Sequence, residues 1–370
     1  MWALLLFAVL NIITFSFKTR KFYYSKRSPF IWLFSLFFIV QVISVFYSTN
    51  TQAALKDIES KASLLLVPWL ILTCNVVNKY TLPELLKTFV YGAVSAILIS
   101  FVYAGLLYSK TDSINAFYYS NLAYYHHAGY FALYLNFAIS ILIIFIIHFR
   151  NRINLKHYLM LGFLILSVYQ LSARMGIIVM SFLVAYSVVY LTIPKIRFKN
   201  QFLAVSLVVL CTGIIIYFSA NRVYRFQSVK KNIVEKNTNT STGSRILLWE
   251  YSLELIADKP IAGFGIGDVK DVVVNKWEKE DFNYALRQEL NPHNQFLQTG
   301  VGTGLLGVVT LLLPMVVPLF YRKSKKTNIL FLLFVFNIFM NCLTESILER
   351  QDGIIFYALF NSFLYFTYKD

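Results

Sequence analysis

Long apolar runs, broken at short intervals by basic clusters, dominate this chain. A helix needs about 20 mainly apolar residues to cross the hydrocarbon core of a bilayer. Such runs fall near 2–17, 29–47, 62–77, 86–108, 128–149, 157–172, 175–193, 202–219, 300–320, 328–346 and 353–367. The apolar stretch from 158 to 193 is too long for one crossing. It splits at Ser172-Ala173-Arg174-Met175-Gly176, which reads as a tight turn. The expected fold is all-α: a polytopic transmembrane helical bundle of about eleven spans. One large extracytoplasmic loop with short helices interrupts it. The expected parts are an N-terminal bundle over 1–220, the loop over 221–299 and the last spans over 300–370.

Composition agrees with a lipid solvent. Apolar residues make up 58% of the 370 and charged residues 14%, against about 45–50% and about 25% in soluble domains. The net charge of +16 is not a nucleic-acid footprint, because of where it lies. If the spans alternate, one face carries Lys18 to Arg27, Lys79, Lys87, Arg150 to Lys156, Lys195 to Lys199, Arg322 to Lys326 and Lys369. That face holds 18 basic residues and two acids, Glu84 and Asp370; the other holds 16 of each. Basic residues in short loops stay inside, so the basic face is cytoplasmic. The N-terminus is then outside and the C-terminus inside. The first apolar run has no basic n-region before it and no convincing cleavage site, so no signal peptide is expected. Cys74, Cys211 and Cys342 lie in apolar runs and read as small core residues.

The loop 221–296 carries 11 basic and 10 acidic residues, and long loops cross regardless of charge. Asn237 to Ser241 is a polar linker. Ser244 is an expected cap for a helix through Arg245, Leu248, Trp249, Ser252, Leu255 and Ile256, ended by Asp258-Lys259-Pro260. The helical spacing of its apolar residues lays it on the membrane surface or on the bundle.

Three cationic or basic side chains stand out on the outer face. Arg174, in the tight turn, is either an interfacial arginine or an anion clamp, since a guanidinium offers a planar fork to phosphate oxygens. Arg245 opens the loop helix, where a cation opposes the helix dipole; it is a solvated arginine or an anion ligand. His293 lies in Asn291-Pro292-His293-Asn294. With Asn291 as N-cap and Pro292 as first helical residue, His293 falls in the first turn, where the dipole favours a neutral imidazole. It is then a general base or a polar interfacial residue. Glu345 and Glu349 share a helix face at i, i+4, beside Arg350 and Asp352. They pair structurally, orient a catalytic arginine or bind metal, in that order. His126 and His127 precede a span at the outer face and read as interfacial, with one of them in reach of a headgroup. Gly263-Phe264-Gly265-Ile266-Gly267 has neither the preceding strand nor the lysine of a phosphate loop, and reads as a turn. Gly300, Gly302, Gly304 and Gly307 permit close helix packing.

Taken in order, Ser172 to Gly176, Gly243-Ser244-Arg245 with Trp249, Pro260 to Gly267, and Pro292-His293-Asn294-Gln295-Phe296-Leu297-Gln298 through Gly304 to Gly307 resemble one family. It is the O-antigen ligase and polymerase superfamily of bacterial membrane glycosyltransferases. The resemblance runs from about residue 120 to the C-terminus. The family pattern has one more N-terminal span, with both ends cytoplasmic. The resemblance implies transfer of a glycan from a polyprenyl-diphosphate carrier, such as undecaprenyl diphosphate, to a hydroxyl acceptor on the lipid A core or another surface glycan or lipid. Arg174 and Arg245 would hold the diphosphate and His293 would activate the hydroxyl. His127, Glu345 and Arg350 are further candidate substrate contacts. No cofactor and no metal are expected. The partners are the lipid-linked donor, a sugar or lipid-linked sugar acceptor and membrane lipids, not nucleic acid. The location implied is the bacterial inner membrane, with the site on its periplasmic face. Ligase and polymerase share donor and motifs. A transporter of lipid-linked sugar or another anion is the rival of another class, but it should carry its charges at mid-membrane, whereas these cluster at the outer mouth.

Overall fold

The computed structural model describes residues 31–73, 81–148, 154–192, 243–320 and 325–366. Every regular element among them is helical. In chain order these are α1 (Ile31–Val45), α2 (Thr51–Lys61), α3 (Ser63–Thr73), α4 (Thr81–Thr111), the short α5 (Tyr119–Leu122), α6 (Ala128–His148), α7 (Leu155–Gln170), α8 (Arg174–Thr192), α9 (Gly243–Asp258), α10 (Val269–Lys279), α11 (Asn283–Arg287), α12 (Gln295–Phe320), α13 (Lys325–Cys342) and α14 (Gln351–Phe366). Single 3-10 turns cover Ile114–Phe117, Ile266–Asp268 and Ile347–Glu349. The expected spans 2–17 and 202–219, the linker 237–241, and Cys74 and Cys211 lie outside the described residues. Cys342 is buried and free, as a small core residue would be.

Three of the described helices, over Leu82–Thr111, Ala128–Ile147 and Gln295–Phe320, are long and apolar enough to cross a membrane. On α4 the residues Leu98, Val102 and Leu106, one face at i, i+4, i+8, are all exposed. Water does not tolerate a continuous apolar stripe of that kind, and lipid does. Several expected edges move. The span 86–108 is the longer α4, 300–320 begins at Gln295, and 328–346 ends at Cys342.

The chain divides into two compact units. The first comprises Met1–Pro83, Glu235–Phe331 and Cys342–Asp370, and the second Glu84–Val234 and Leu332–Asn341. In the second unit α6 packs on α7 and α8. Gly176 makes the α6–α8 contact close, since a Cβ there would stand 2.6 Å from the Ala132 methyl. Asn136 of α6, wholly buried, donates to the Gly176 carbonyl at 2.9 Å. A turn does split α7 from α8, with Ser172 in the left-handed region at φ +49°, but it lies at 171–173: Arg174 to Gly176, expected within it, already belong to α8.

In the first unit α14 packs on α3, and α1 and α9 pack on α12. The loop helices have a core of their own. Leu248 and Leu255 of α9 meet Val269, Val273 and Trp277 of α10, Phe282, Ala285 and Val301. Each large side chain taken fully from water contributes about 1.5–3 kcal/mol, so this part of the loop is folded ground. Ser244 lies inside α9, in its first turn, and is not the expected cap.

Helix α12 is broken. Gly304 sits at φ +62°, ψ −162°. The break frees the carbonyls of Val301 and Gly302 and the N–H groups of Leu305 and Leu306, which would otherwise pair at i, i−4. The segment after α9 takes up all four. Phe264 and Gly265 donate to Val301 and Gly302 at 2.9 and 2.8 Å, and Leu305 and Leu306 donate to Pro260 and Ile261 at 2.8 and 3.3 Å. Gly263, at φ +70°, lets this segment lie so close, since a Cβ there would stand 2.6 Å from the Gly302 carbonyl carbon, while Gly265, at φ +104°, lies against Ser48. The glycine-rich run is thus a turn, as expected. The glycines of α12 meet loop residues, Ile256 at Gly300 and Val269 at Gly302.

Candidate functional site

Three side chains meet at the start of α12. Asn294 is the N-cap: its Oδ1 accepts from the N–H groups of Phe296 and Leu297 at 2.9 and 3.2 Å. Helix starts expose unpaired N–H groups, and asparagine satisfies them. Asn291, the expected cap, instead accepts from the His293 N–H at 2.9 Å. His293 therefore precedes the helix and lies outside its first turn. Its backbone is in the left-handed region, φ +46°. Such a conformation is uncommon for a residue with a Cβ and gathers at functional sites. The dipole argument for a neutral imidazole lapses with the cap.

What lies beside the ring is a carboxylate. Glu345 lies in the turn after α13, not on a helix shared with Glu349. Its Oε2 is 3.0 Å from His293 Nδ1, and its Oε1 accepts from Arg245 Nη2 at 2.6 Å. Arg245 comes from the first turn of α9, so α9, the start of α12 and the turn after α13 each contribute one group. The three side chains are 25%, 26% and 25% exposed for Arg245, His293 and Glu345, neither sealed nor fully solvated. A carboxylate only accepts, so the contact at Nδ1 calls for the tautomer with its proton there. That leaves Nε2 as the acceptor, the arrangement that makes a histidine a base. Of the five N–H donors on Arg245 only one is used by Glu345, and the fork can still meet an anion.

The other expected residues are placed separately. Glu349 turns to Lys61 at 2.8 Å and to Gln295 at 3.1 Å. Arg350 is exposed where α14 begins, and its side chain makes no hydrogen bond or ion pair to the three groups. In the second unit Arg174 is the half-buried first residue of α8. There too His127 is exposed before α6, with Nδ1 accepting from the Gly129 N–H at 3.3 Å.

Sequence reasoning missed two buried charged residues of the first unit, Lys61 and Asp268. Lys61 is buried with both Asp57 and Glu349 as partners. Burial pulls its ammonium down, but the two carboxylates outweigh this and hold it above the ordinary lysine value. The pairing of Asp57 and Lys61 at i, i+4 was the available signal. Asp268 is buried where the loop meets the α1–α2 corner. Its carboxylate accepts from Thr49 N, Thr49 Oγ1 and Asn50 N at 2.8, 2.8 and 2.7 Å. Burial raises its pKa, and these donors more than offset that, leaving it below the usual aspartate range.

Residues 159–312 match the family model for O-antigen ligase, a segment that contains Arg174, Arg245 and His293 and stops short of Glu345. Among curated proteins, the chain is 29% identical over 151 residues to an uncharacterized protein of Haemophilus influenzae, covering 36% of this chain and 37% of that one. It is 25% identical over 232 residues to a putative polysaccharide ligase of Rickettsia conorii, covering 62% and 53%. A putative polysaccharide ligase of Rickettsia felis is 30% identical over 93 residues, covering 25% and 22%. The chain spans about half or less of the length of these relatives.

Proposed function

We propose that this chain, which matches the O-antigen ligase family model over residues 159–312, is a membrane glycosyltransferase of the polysaccharide-ligase type. It moves a glycan from a polyprenyl-diphosphate carrier to a hydroxyl acceptor at the periplasmic face of the bacterial inner membrane. About eleven helices span that membrane in this reading. The parts 1–220 and 300–370 are helical bundle, and the loop 221–299 lies outside. Three long apolar helices and the exposed stripe on α4 support the membrane assignment.

The acceptor hydroxyl oxygen attacks the anomeric carbon of the donor. The bond from that carbon to the diphosphate oxygen breaks, and its electron pair leaves with the diphosphate. The acceptor's proton passes to His293 Nε2. Arg245 faces the charge growing on the leaving group, and the resemblance of its motif supports Arg174 as a second phosphate ligand. Fixed donors aimed at developing charge contribute more than any other single effect in many enzymes. The observation that carries this reading is the grip of Glu345 on both Arg245 and His293. One carboxylate orients the anion ligand and the base together.

The lipid-linked glycan pool of cells lacking the protein tests it. A ligase leaves full-length chains on the carrier. Single repeat units on the carrier would instead make it a polymerase, and glycan stranded on the cytoplasmic leaflet a transporter.

A further inference from the structure

Gln295, the first residue of α12, is wholly buried and uses both ends of its carboxamide. Oε1 accepts from the Leu348 backbone N–H at 2.7 Å. Nε2 donates to Glu349 Oε1 at 3.1 Å and lies equally near Thr299 Oγ1. The other oxygen of Glu349 meets Lys61 Nζ at 2.8 Å, and Lys61 reaches back to Asp57 at 3.4 Å. This clasp joins the end of α2, the start of α12 and the 347–349 turn. It includes neither His293 nor Glu345. It does bind the same two stretches of backbone that carry them: Gln295 follows His293 by two residues, and Leu348 follows Glu345 by three.

We propose that Gln295 is a positioning residue, which fixes the start of α12 against the 345–349 segment so that Glu345 faces His293, with the Lys61–Glu349 ion pair as its anchored end. The proposal rests on the function argued above. The requirement is geometric, because a displacement of about 1 Å at reacting groups can cost about 10²-fold in rate. A side chain with one donor end and one acceptor end, both engaged, is suited to hold such a distance. Lys61 and Glu349 also line a small pocket of about 10 Å³ with Gln41, Gln298 and Thr299. The competing role for the pair is therefore direct contact with a ligand, and the two roles differ in what restores a variant. A buried pair with one partner removed strands a charge, whereas replacing both by neutral groups does not. In Lys61→Met/Glu349→Gln the new amide still accepts from Gln295 Nε2.

The test uses the purified full chain in lipid nanodiscs, an undecaprenyl-diphosphate-linked oligosaccharide as donor and a cell-envelope glycolipid extract as acceptor. Rates are normalised to folded protein from size-exclusion elution. Gln295→Met should lose about 10–10²-fold in kcat with the donor KM within about threefold of wild type. Gln295→Glu, which sets two carboxylates face to face, should fall as far. Lys61→Met should also fall, and adding Glu349→Gln should recover about tenfold or more. Should Gln295→Met elute only as aggregate, Gln295→Glu and the double variant decide. Wild-type kcat in a folded Gln295 variant overturns the proposal. So does a raised KM in Lys61→Met that Glu349→Gln leaves unrestored, which would make Lys61 a ligand contact. His293→Ala, run alongside, separates the two levels. If it keeps transfer, the functional reading fails and this one with it; if it loses transfer while Gln295→Met does not, only the positioning role is lost.

Discussion

Glu345 Oε2 lies 3.0 Å from His293 Nδ1 although 52 residues separate them. The contact orients the ring so that Nε2 is left to accept a proton. His293→Ala should therefore insert normally, bind the lipid-linked donor and lose about 10²–10⁴-fold in transfer. His293→Gln should do no better, because an amide cannot take the proton. Glu345→Gln should also lose transfer, since it can present an N–H to Nδ1 and favour the wrong tautomer. Single-turnover rates check all three, and near-wild-type transfer by His293→Gln would reduce the histidine to a spacer.

Arg245 spends one donor on Glu345, and in the proposed reaction its other donors meet an anion. Lysine, a point charge on a flexible stem, cannot supply the planar pair. Arg245→Lys and Arg174→Lys should lose about tenfold or more in transfer at near-normal membrane levels. Wild-type rates in both would make them interfacial anchors.

Two guanidinium groups can supply the positive charge a leaving diphosphate needs. Transfer should persist in excess chelator. Inactivation there, reversed by magnesium or manganese, would redirect attention to Glu345, Glu349 and Asp352.

Gly304 is held at positive φ, and a Cβ there would collide with the backbone of Ile261. Gly304→Ala should cost about 1–3 kcal/mol, read as a lower unfolding midpoint in detergent. Gly92→Ala makes the contrast. Nothing lies within 4 Å of a Cβ at Gly92, in the interior of α4, so alanine there should stabilise by about 0.5–1 kcal/mol.

Asp268 carries a depressed pKa because Thr49 and Asn50 donate to its charged form. A depressed carboxyl contributes stability that is present above the ordinary aspartate value, near 3.9, and that is lost as pH falls through the lower folded value. Asp268→Asn sets an amide against donors and should cost about 1–3 kcal/mol near neutral pH. The gap in unfolding midpoint between wild type and variant should narrow below about pH 4. A gap constant down to pH 3 would show that the carboxylate charge is not what holds this corner.

Local chemistry was legible in the sequence where one segment settles it. The turn at Ser172 follows from an apolar run too long for one helix, and α9 ends where Pro260 requires it to. The sequence alone places the start of α12 three residues early, because two asparagines compete to cap it and tertiary contacts choose between them. Glu345 and Glu349 looked like neighbours on a helix. The chain there turns instead, and sends one to Arg245 and the other to Lys61. No periodicity reports a pairing over 52 residues, nor a lysine buried against an acid nearly 300 residues away. The role of Gly263 was hidden for the same reason, since its partners are backbone atoms of another helix.

The break at Gly304 means that α12 does not carry its own backbone through. Leu305 and Leu306 rely on carbonyls more than forty residues upstream, and in hydrocarbon an unpaired N–H costs several kcal/mol. The helix, then, is complete only once the stretch behind α9 is folded against it. The loop and the span mature as one object, and a chimera that exchanges either without the other would leave a helix with an open seam.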